Sequence, residues 1–181
     1  MLNSGQRQRI LALAREAITE FVLHQREIPK PQEDFLQEPC GAFVTLTMEG
    51  ELRGCIGFPE ARYPLGEAIV KAAVYAATED PRFPSVTAEE LSHVELEISI
   101  LSPARPISDP SEIVVGEHGL ILTFGYARGL LLPQVPVEHG WDLDQYLKGI
   151  CHKAGVPDQA WKDPRARLEV FTAEVFCEEP S

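Results

Sequence analysis

The sequence predicts an α+β fold, a mostly antiparallel sheet packed with helices. Residues 43–48 and 52–56 read as strands on either side of a loop short enough to force a hairpin. Strand-like segments come in runs, with helices between the runs and no regular strand–helix–strand alternation. The helical segments carry apolar residues along one face, as elements lying on a sheet require. No internal repeat or low-complexity stretch breaks the pattern, so one domain over residues 1–181 is expected.

Taken in order, Asn3 or Ser4 can cap a helix in which Ile10, Leu13, Ala14, Ala17, Ile18, Phe21 and Val22 recur at helical spacing. Residues 28–39 hold three prolines among polar and acidic residues and are expected to be an extended, solvated connection. The hairpin follows. A two-residue loop at Glu49 and Gly50 would mix apolar with polar groups on both faces. A three-residue loop puts Val44, Leu46, Met48, Leu52 and Ile56 on one face and Thr45, Thr47, Arg53 and Cys55 on the other, and is preferred.

Pro64 can open a second helix with a stripe of small residues, Leu65, Ala68, Ile69, Ala72 and Ala76, narrow enough to lie close to a sheet, and Pro81 ends it. Thr87 and Glu90 fit a capping box for a short helix. Residues 94–101 alternate as a strand with Val94, Leu96, Ile98 and Ile100 inward and Glu95, Glu97 and Ser99 outward. Residues 112–115 and 120–124 look like strands joined through 116–119, and 130–132 continue the sheet. Asp142 can cap a helix bearing Leu143, Tyr146, Leu147, Ile150, Cys151 and Ala154, terminated by Gly155, and a last strand is expected within 168–177.

Composition removes several classes of function. A chain of 181 residues buries about 70% of its unfolded surface, so its core needs neither disulfide nor metal. No apolar run approaches the roughly 20 residues of a membrane span, and no secretory signal is visible, so a soluble protein of the cytoplasm is expected, with no membrane partner. The formal charge of −12 and the lack of a basic cluster argue against nucleic acid. The four cysteines form no CxxC pair, and adjacent Cys151 and His152 point about 100° apart on a helix, so no metal site is expected. Neither a P-loop nor a GxGxxG or GxSxG motif is present, and no cofactor is predicted.

The chemistry concentrates in Leu-Arg-Gly-Cys-Ile-Gly at residues 52–57. Arg53 and Cys55, two apart on a strand, would share a face, and a guanidinium beside a thiol favours the thiolate. Gly54 and Gly57 would let a ligand or another backbone approach closely. The same hexapeptide also reads as a tightly packed strand under a helix, because free cysteine is often buried. In Asp80-Pro81-Arg82-Phe83 a fixed turn can present Arg82 to an anion, or Asp80 and Arg82 can simply pair at a helix stop. Glu97, with Glu95, can supply a general base or the partner of Arg53 or Arg82. His118 in a glycine-flanked turn, Arg128 before Gly129, and the Gln134 amide are further candidates to contact a ligand, each with a surface or loop role as the alternative. Cys151 lies on the apolar side of its helix and reads as core.

LRGCIG is the signature of the AMMECR domain family, and the chain resembles that family further in GAFVTL at 41–46, DPRF at 80–83, EISILS at 97–102, GLLLPQV at 129–135 and KAG at 153–155. The likeness covers residues 10–178, with a minor departure at His152. It implies an α+β fold of a larger and a smaller subdomain, with the signature strand near the cleft between them. It brings no settled reaction. It implies membership of a three-part system with a Memo-like protein and a radical-SAM protein. Two readings of function stand: a ligand- or partner-binding component of a multi-protein modification pathway, or a thiol-dependent enzyme in which Cys55 acts with Arg53 and Arg82 on a small anionic substrate.

Overall fold

The computed structural model describes residues 2–178. It is an α+β structure whose described residues form seven strands, ordered β2-β1-β3-β7-β5-β6 with β4 on β7. Two compact units divide the chain, Met1–Leu101 with Glu174–Ser181, and Ser102–Ala173.

The first unit opens with α1 (Ser4–His24), which starts where the sequence requires. Asn3 accepts the Gln6 backbone N–H, and the Gln6 side chain returns to the Asn3 N–H, so two orphan donors of the first turn are satisfied. Its buried residues, Ile10, Leu13, Ala14, Ala17 and Ile18, are five of the seven in the predicted stripe. The proline-rich connection is less solvated than expected: a single 3-10 turn at Asp34–Leu36 drives Leu36 fully into the core.

β1 (Gly41–Met48) and β2 (Glu51–Phe58) form the hairpin, α2 (Leu65–Thr78) crosses it, and β3 (Val94–Leu101) pairs with β1 on the side away from β2. One face of these strands carries Ala42, Val44, Leu46, Leu96, Ile98 and Ile100 into a core completed by α1 and α2. The small-residue stripe of α2 buries Ala68, Ile69, Ala72 and Ala76, as the sequence predicts.

The hairpin register corrects the preferred reading. The turn is the two-residue loop, with Met48 opposite Glu51 and both Glu49 and Gly50 in the left-handed region. A bulge then inserts one residue into β2 between the Thr47–Leu52 and Leu46–Gly54 pairs, so that Val44 opposes Ile56 and Thr45 opposes Cys55. Those last pairs are the ones a three-residue loop would give. The extra residue is Arg53. It leaves the Cys55 row, and Leu52, expected in the core, is 40% exposed opposite Thr47.

In the second unit β4 (Arg105–Ile107), β5 (His118–Phe124) and β6 (Ala127–Leu131) precede α3 (Gln134–His139) and α4 (Leu143–Ala154). The last strand, β7 (Arg167–Cys177), lies between β4 and β5 and continues into the first unit. α4 has the predicted Asp142 cap and ends at Gly155 in the left-handed region. Its Tyr146, Leu147, Ile150 and Cys151 pack on Leu120, Leu122 and Val170.

Two expectations fail in this unit. Residues 112–115 are not a strand: a capped 3-10 turn occupies Pro110–Glu112, and only Ile113 of the following stretch is buried. His118 and Gly119 belong to β5, not to a connecting turn. Gly119 is required by packing, because a Cβ there would lie 2.2 Å from the Phe171 ring.

Of the glycines in the first unit Gly54 has the closest neighbour, and a Cβ there would come within 2.1 Å of the Ala76 carbonyl oxygen of α2. Backbone cannot yield as a side-chain tip can. Gly54→Ala is therefore expected to lose about 1–3 kcal/mol of stability, the cost of overpacking a tight interior. Urea unfolding measures it, and an unchanged midpoint would show that α2 is free to move away.

Candidate functional site

The face of β2, β1 and β3 opposite the core holds the candidate chemistry. Cross-strand pairing fixes a row of Cys55, Thr45 and Glu97, one residue from each strand, flanked by a row of Gly57, Phe43 and Ser99. The Thr45 Oγ1 lies 3.2 Å from the Cys55 Sγ. The Phe43 ring covers Gly57 so closely that a Cβ there would sit 2.2 Å from it, so this glycine serves packing.

β2 is the edge strand, and Asp80, just beyond α2, closes part of its edge. One Asp80 carboxylate oxygen accepts the Cys55 backbone N–H at 2.9 Å and the Arg82 Nη2 at 2.7 Å. The other accepts the Arg82 Nε at 3.0 Å and the Arg82 backbone N–H at 3.1 Å. These bonds, those from the Arg82 guanidinium first, hold the buried Asp80 carboxyl well below the usual carboxylate range. The same bond and the Asp80 charge, with a smaller contribution from Cys55, hold the Arg82 guanidinium above its ordinary value. The Arg82 side chain remains 55% exposed. The acid and the arginine of DPRF pair as one of the two readings expected, and the arginine keeps more than half of its side chain exposed.

Arg53 has a different environment. Its side chain is 10% exposed. Nε and Nη2 donate to the two Glu90 carboxylate oxygens, each at 2.9 Å, Nη1 to the Pro84 carbonyl at 2.8 Å, and Nη2 also to the Ser85 carbonyl at 3.3 Å. Glu90 also accepts the Thr87 backbone N–H at 2.8 Å, the half of the predicted capping box that points back, although the helix it opens is only the 3-10 turn Glu90–Ser92. Glu95 and Glu97 pair with neither arginine among the described residues; Glu90 and Asp80 take those places.

The remaining candidates belong to the second unit. His118 opens β5, with Nδ1 accepting the Val114 N–H at 3.0 Å and its carbonyl accepting the Tyr146 hydroxyl at 2.9 Å. Arg128 lies on β6 opposite Thr123, and Gln134 is the first residue of α3. Gly129 touches the α4 backbone, where a Cβ would be 2.6 Å from the Ala154 nitrogen. Cys151 is fully buried, and burial pushes its thiol up, as it does for Cys40. Away from these residues, a shallow groove is lined by Ile28, Pro31, Val70, Val74 and Tyr75 with Lys30, Lys71, Glu27 and Glu67.

Sequence reasoning placed Thr45 on the Cys55 face without giving it a role, and saw Ser99 only as an outward residue of its strand. In the first unit GAFVTL, LRGCIG, DPRF and EISILS converge on one sheet face and its edge. In the second, GLLLPQV meets KAG at Gly129 and Ala154.

That arrangement agrees with the comparisons. A family model described as AMMECR1 matches residues 11–176, and the chain belongs to the AMMECR1 family. Among individual relatives, it is similar to a protein of Thermococcus gammatolerans, 49% identical over 182 residues that cover 94% of this chain and 89% of the relative. It is also similar to protein TK0174 of Thermococcus kodakarensis, 47% identical over the same extents. The crystal structure of uncharacterized protein PH0010 from Pyrococcus horikoshii matches with a TM-score of 0.84 at 45% identity, covering 94% of this chain and 90% of that one. No described helix is long and apolar enough to cross a membrane.

The Arg53–Glu90 pair is open to a pH test. Its bonds to Arg53 and then to the Thr87 N–H lower the Glu90 carboxyl from 4.5 to about 2. A depressed folded-state value means that the stabilisation is complete above the unfolded value and is lost as pH falls through the folded one. Glu90→Gln is expected to cost about 2 kcal/mol near neutrality, the size of a hydrogen bond to a buried charge. The gap to wild type should narrow between about pH 4.5 and 2 in urea unfolding. A gap independent of pH would remove Glu90 from the Arg53 site.

Proposed function

We propose that this chain is a ligand-binding component whose site is the open face around Cys55, and that Arg82 receives an anionic group of a small ligand beside the thiol. The observation that carries the reading is the doubly engaged Asp80. It holds Arg82 by Nε and Nη2, leaving Nη1 without a hydrogen-bond partner among the described residues while the guanidinium lies 5.5 Å from the centre of the Phe83 ring, and ties the same arginine to the backbone of Cys55. A guanidinium fixed in this way loses little freedom on binding an oxyanion. Gly54 and Gly57 shape the strand, and Asp80 orients the arginine. The family resemblance supports a cytoplasmic role within a multi-protein modification pathway, with a Memo-like protein and a radical-SAM protein as the partners to test.

A thiol-dependent reaction at Cys55 is the second reading, favoured by the Thr45 hydroxyl at 3.2 Å from the sulfur. In it Cys55 is the nucleophile and Glu97, in the same row, the candidate base. Arg53 spends its donors on Glu90 and two carbonyls, so the anionic substrate would depend on Arg82.

Alkylation tests the first reading directly. The rate of Cys55 modification by iodoacetate, divided by that by iodoacetamide, reports the field of a nearby cation. Arg82→Gln should lower this ratio about three- to fivefold, as expected for one charge a few ångströms away in a near-aqueous dielectric, while Arg82→Lys retains it. Cys177, exposed, serves as the internal control in peptide mapping. If the ratio at Cys55 does not move, Arg82 is not an anion site.

A further inference from the structure

The open face carries a second charge that the anion at Arg82 does not use. Glu97 stands opposite Thr45 on β3, half-buried, and its carboxylate forms no hydrogen bond or ion pair among the described residues. Two residues on, Ser99 is 5% exposed and its hydroxyl also has no partner among the described residues. No sealed side-chain oxygen or nitrogen there lacks a partner, so the Ser99 hydroxyl opens onto the face instead of being enclosed. The Ser99 hydroxyl and the Glu97 carboxylate thus stand on one face with hydrogen-bonding capacity that no side chain takes up among the described residues.

Charge decides what that ligand must be. Asp80 offsets Arg82, so Glu97 leaves the row net negative. A simple anion approaching Arg82 would meet repulsion from Glu97, and a simple cation would leave Arg82 unused. Resting on the reading of Arg82 as an anion site, we propose that the ligand is zwitterionic, with a carboxylate at Arg82 and an ammonium group at Glu97. The β2 edge at Cys55, to which Asp80 ties Arg82, and the strand carrying Glu97 are two strand spacings apart, about 10 Å, which gives the scale of the ligand. The middle of the row is polar but uncharged, Thr45 and Cys55, and Ser99 offers its hydroxyl beside Glu97. A carboxylate suits Arg82 better than a phosphate, since the neutralised guanidinium offers one edge and no surplus charge.

Protection of Cys55 from iodoacetamide tests the proposal with 4-aminobutyrate, 6-aminohexanoate, 8-aminooctanoate, hexanoate and hexylamine as probes at millimolar concentration. One of the two longer amino acids should slow alkylation at least about threefold more than hexanoate, one added charge pair in partly aqueous surroundings. Glu97→Gln should remove the advantage over hexanoate, and Arg82→Gln the advantage over hexylamine, with both variants checked by thermal melting. If hexanoate protects as well as the amino acids in the wild type, the ligand is a plain anion: the zwitterion is overturned while the Arg82 reading stands. If no probe protects, the zwitterion is overturned, and the iodoacetate ratio separately decides the fate of Arg82.

Discussion

The structure of the first unit depends on the single extra residue in the signature strand. With Arg53 paired in the ladder, either the turn would have to open to three residues or Cys55 would leave the Thr45 row. The bulge satisfies the tight turn and the outer register together, and does so by removing a charged side chain from the sheet face. That arginine then has to be accommodated in a nearly buried position. A guanidinium there is tolerable only when its donors are met, and Glu90 with the carbonyls of Pro84 and Ser85 meets them. The segment after α2 is thereby bound to β2, which also places Asp80 at the strand edge.

Asp80 combines two tasks that conflict in most edge strands. An unpaired N–H at a sheet edge invites another strand, and a carboxylate placed against it blocks such pairing. The same carboxylate orients Arg82, so protecting the edge and presenting a cation are one arrangement. Its buried charge is sustained by four hydrogen bonds.

The elements that were legible in the sequence are those whose signals are local. α1 and α4 announced themselves by a capping side chain and an apolar stripe, and β3 by strict alternation across Val94–Leu101. The bulge was not legible, because each of the two simple registers explains half of the hairpin and no residue marks the insertion. Gly119 misled for a different reason: a glycine excluded by a neighbouring aromatic ring looks, in sequence, like a turn glycine. Asp80 and Glu90 were both visible as residues at helix boundaries, yet a carboxylate has enough lone pairs to cap a backbone and bind an arginine at once. Asp80 takes its near neighbour Arg82, but its bond to the Cys55 N–H spans 25 residues and the Glu90 pair with Arg53 spans 37, and packing decides both.

The signature therefore divides into parts with different physical causes. Gly54 is there because α2 touches the strand, Gly57 because Phe43 lies over it, Ile56 because it continues the inner face from Val44, and Arg53 because the bulge must be held. Cys55 has no comparable packing requirement: it is only half-buried, and its backbone, not its sulfur, carries the bond to Asp80. Its chemistry belongs to the open face, and that face is built on paired strands rather than loops. Strand separation, set by backbone hydrogen bonds, fixes the distance from the β2 edge to Glu97. Arg82 itself lies beyond α2, and the bond from the Cys55 N–H to Asp80 is what ties it to that strand spacing.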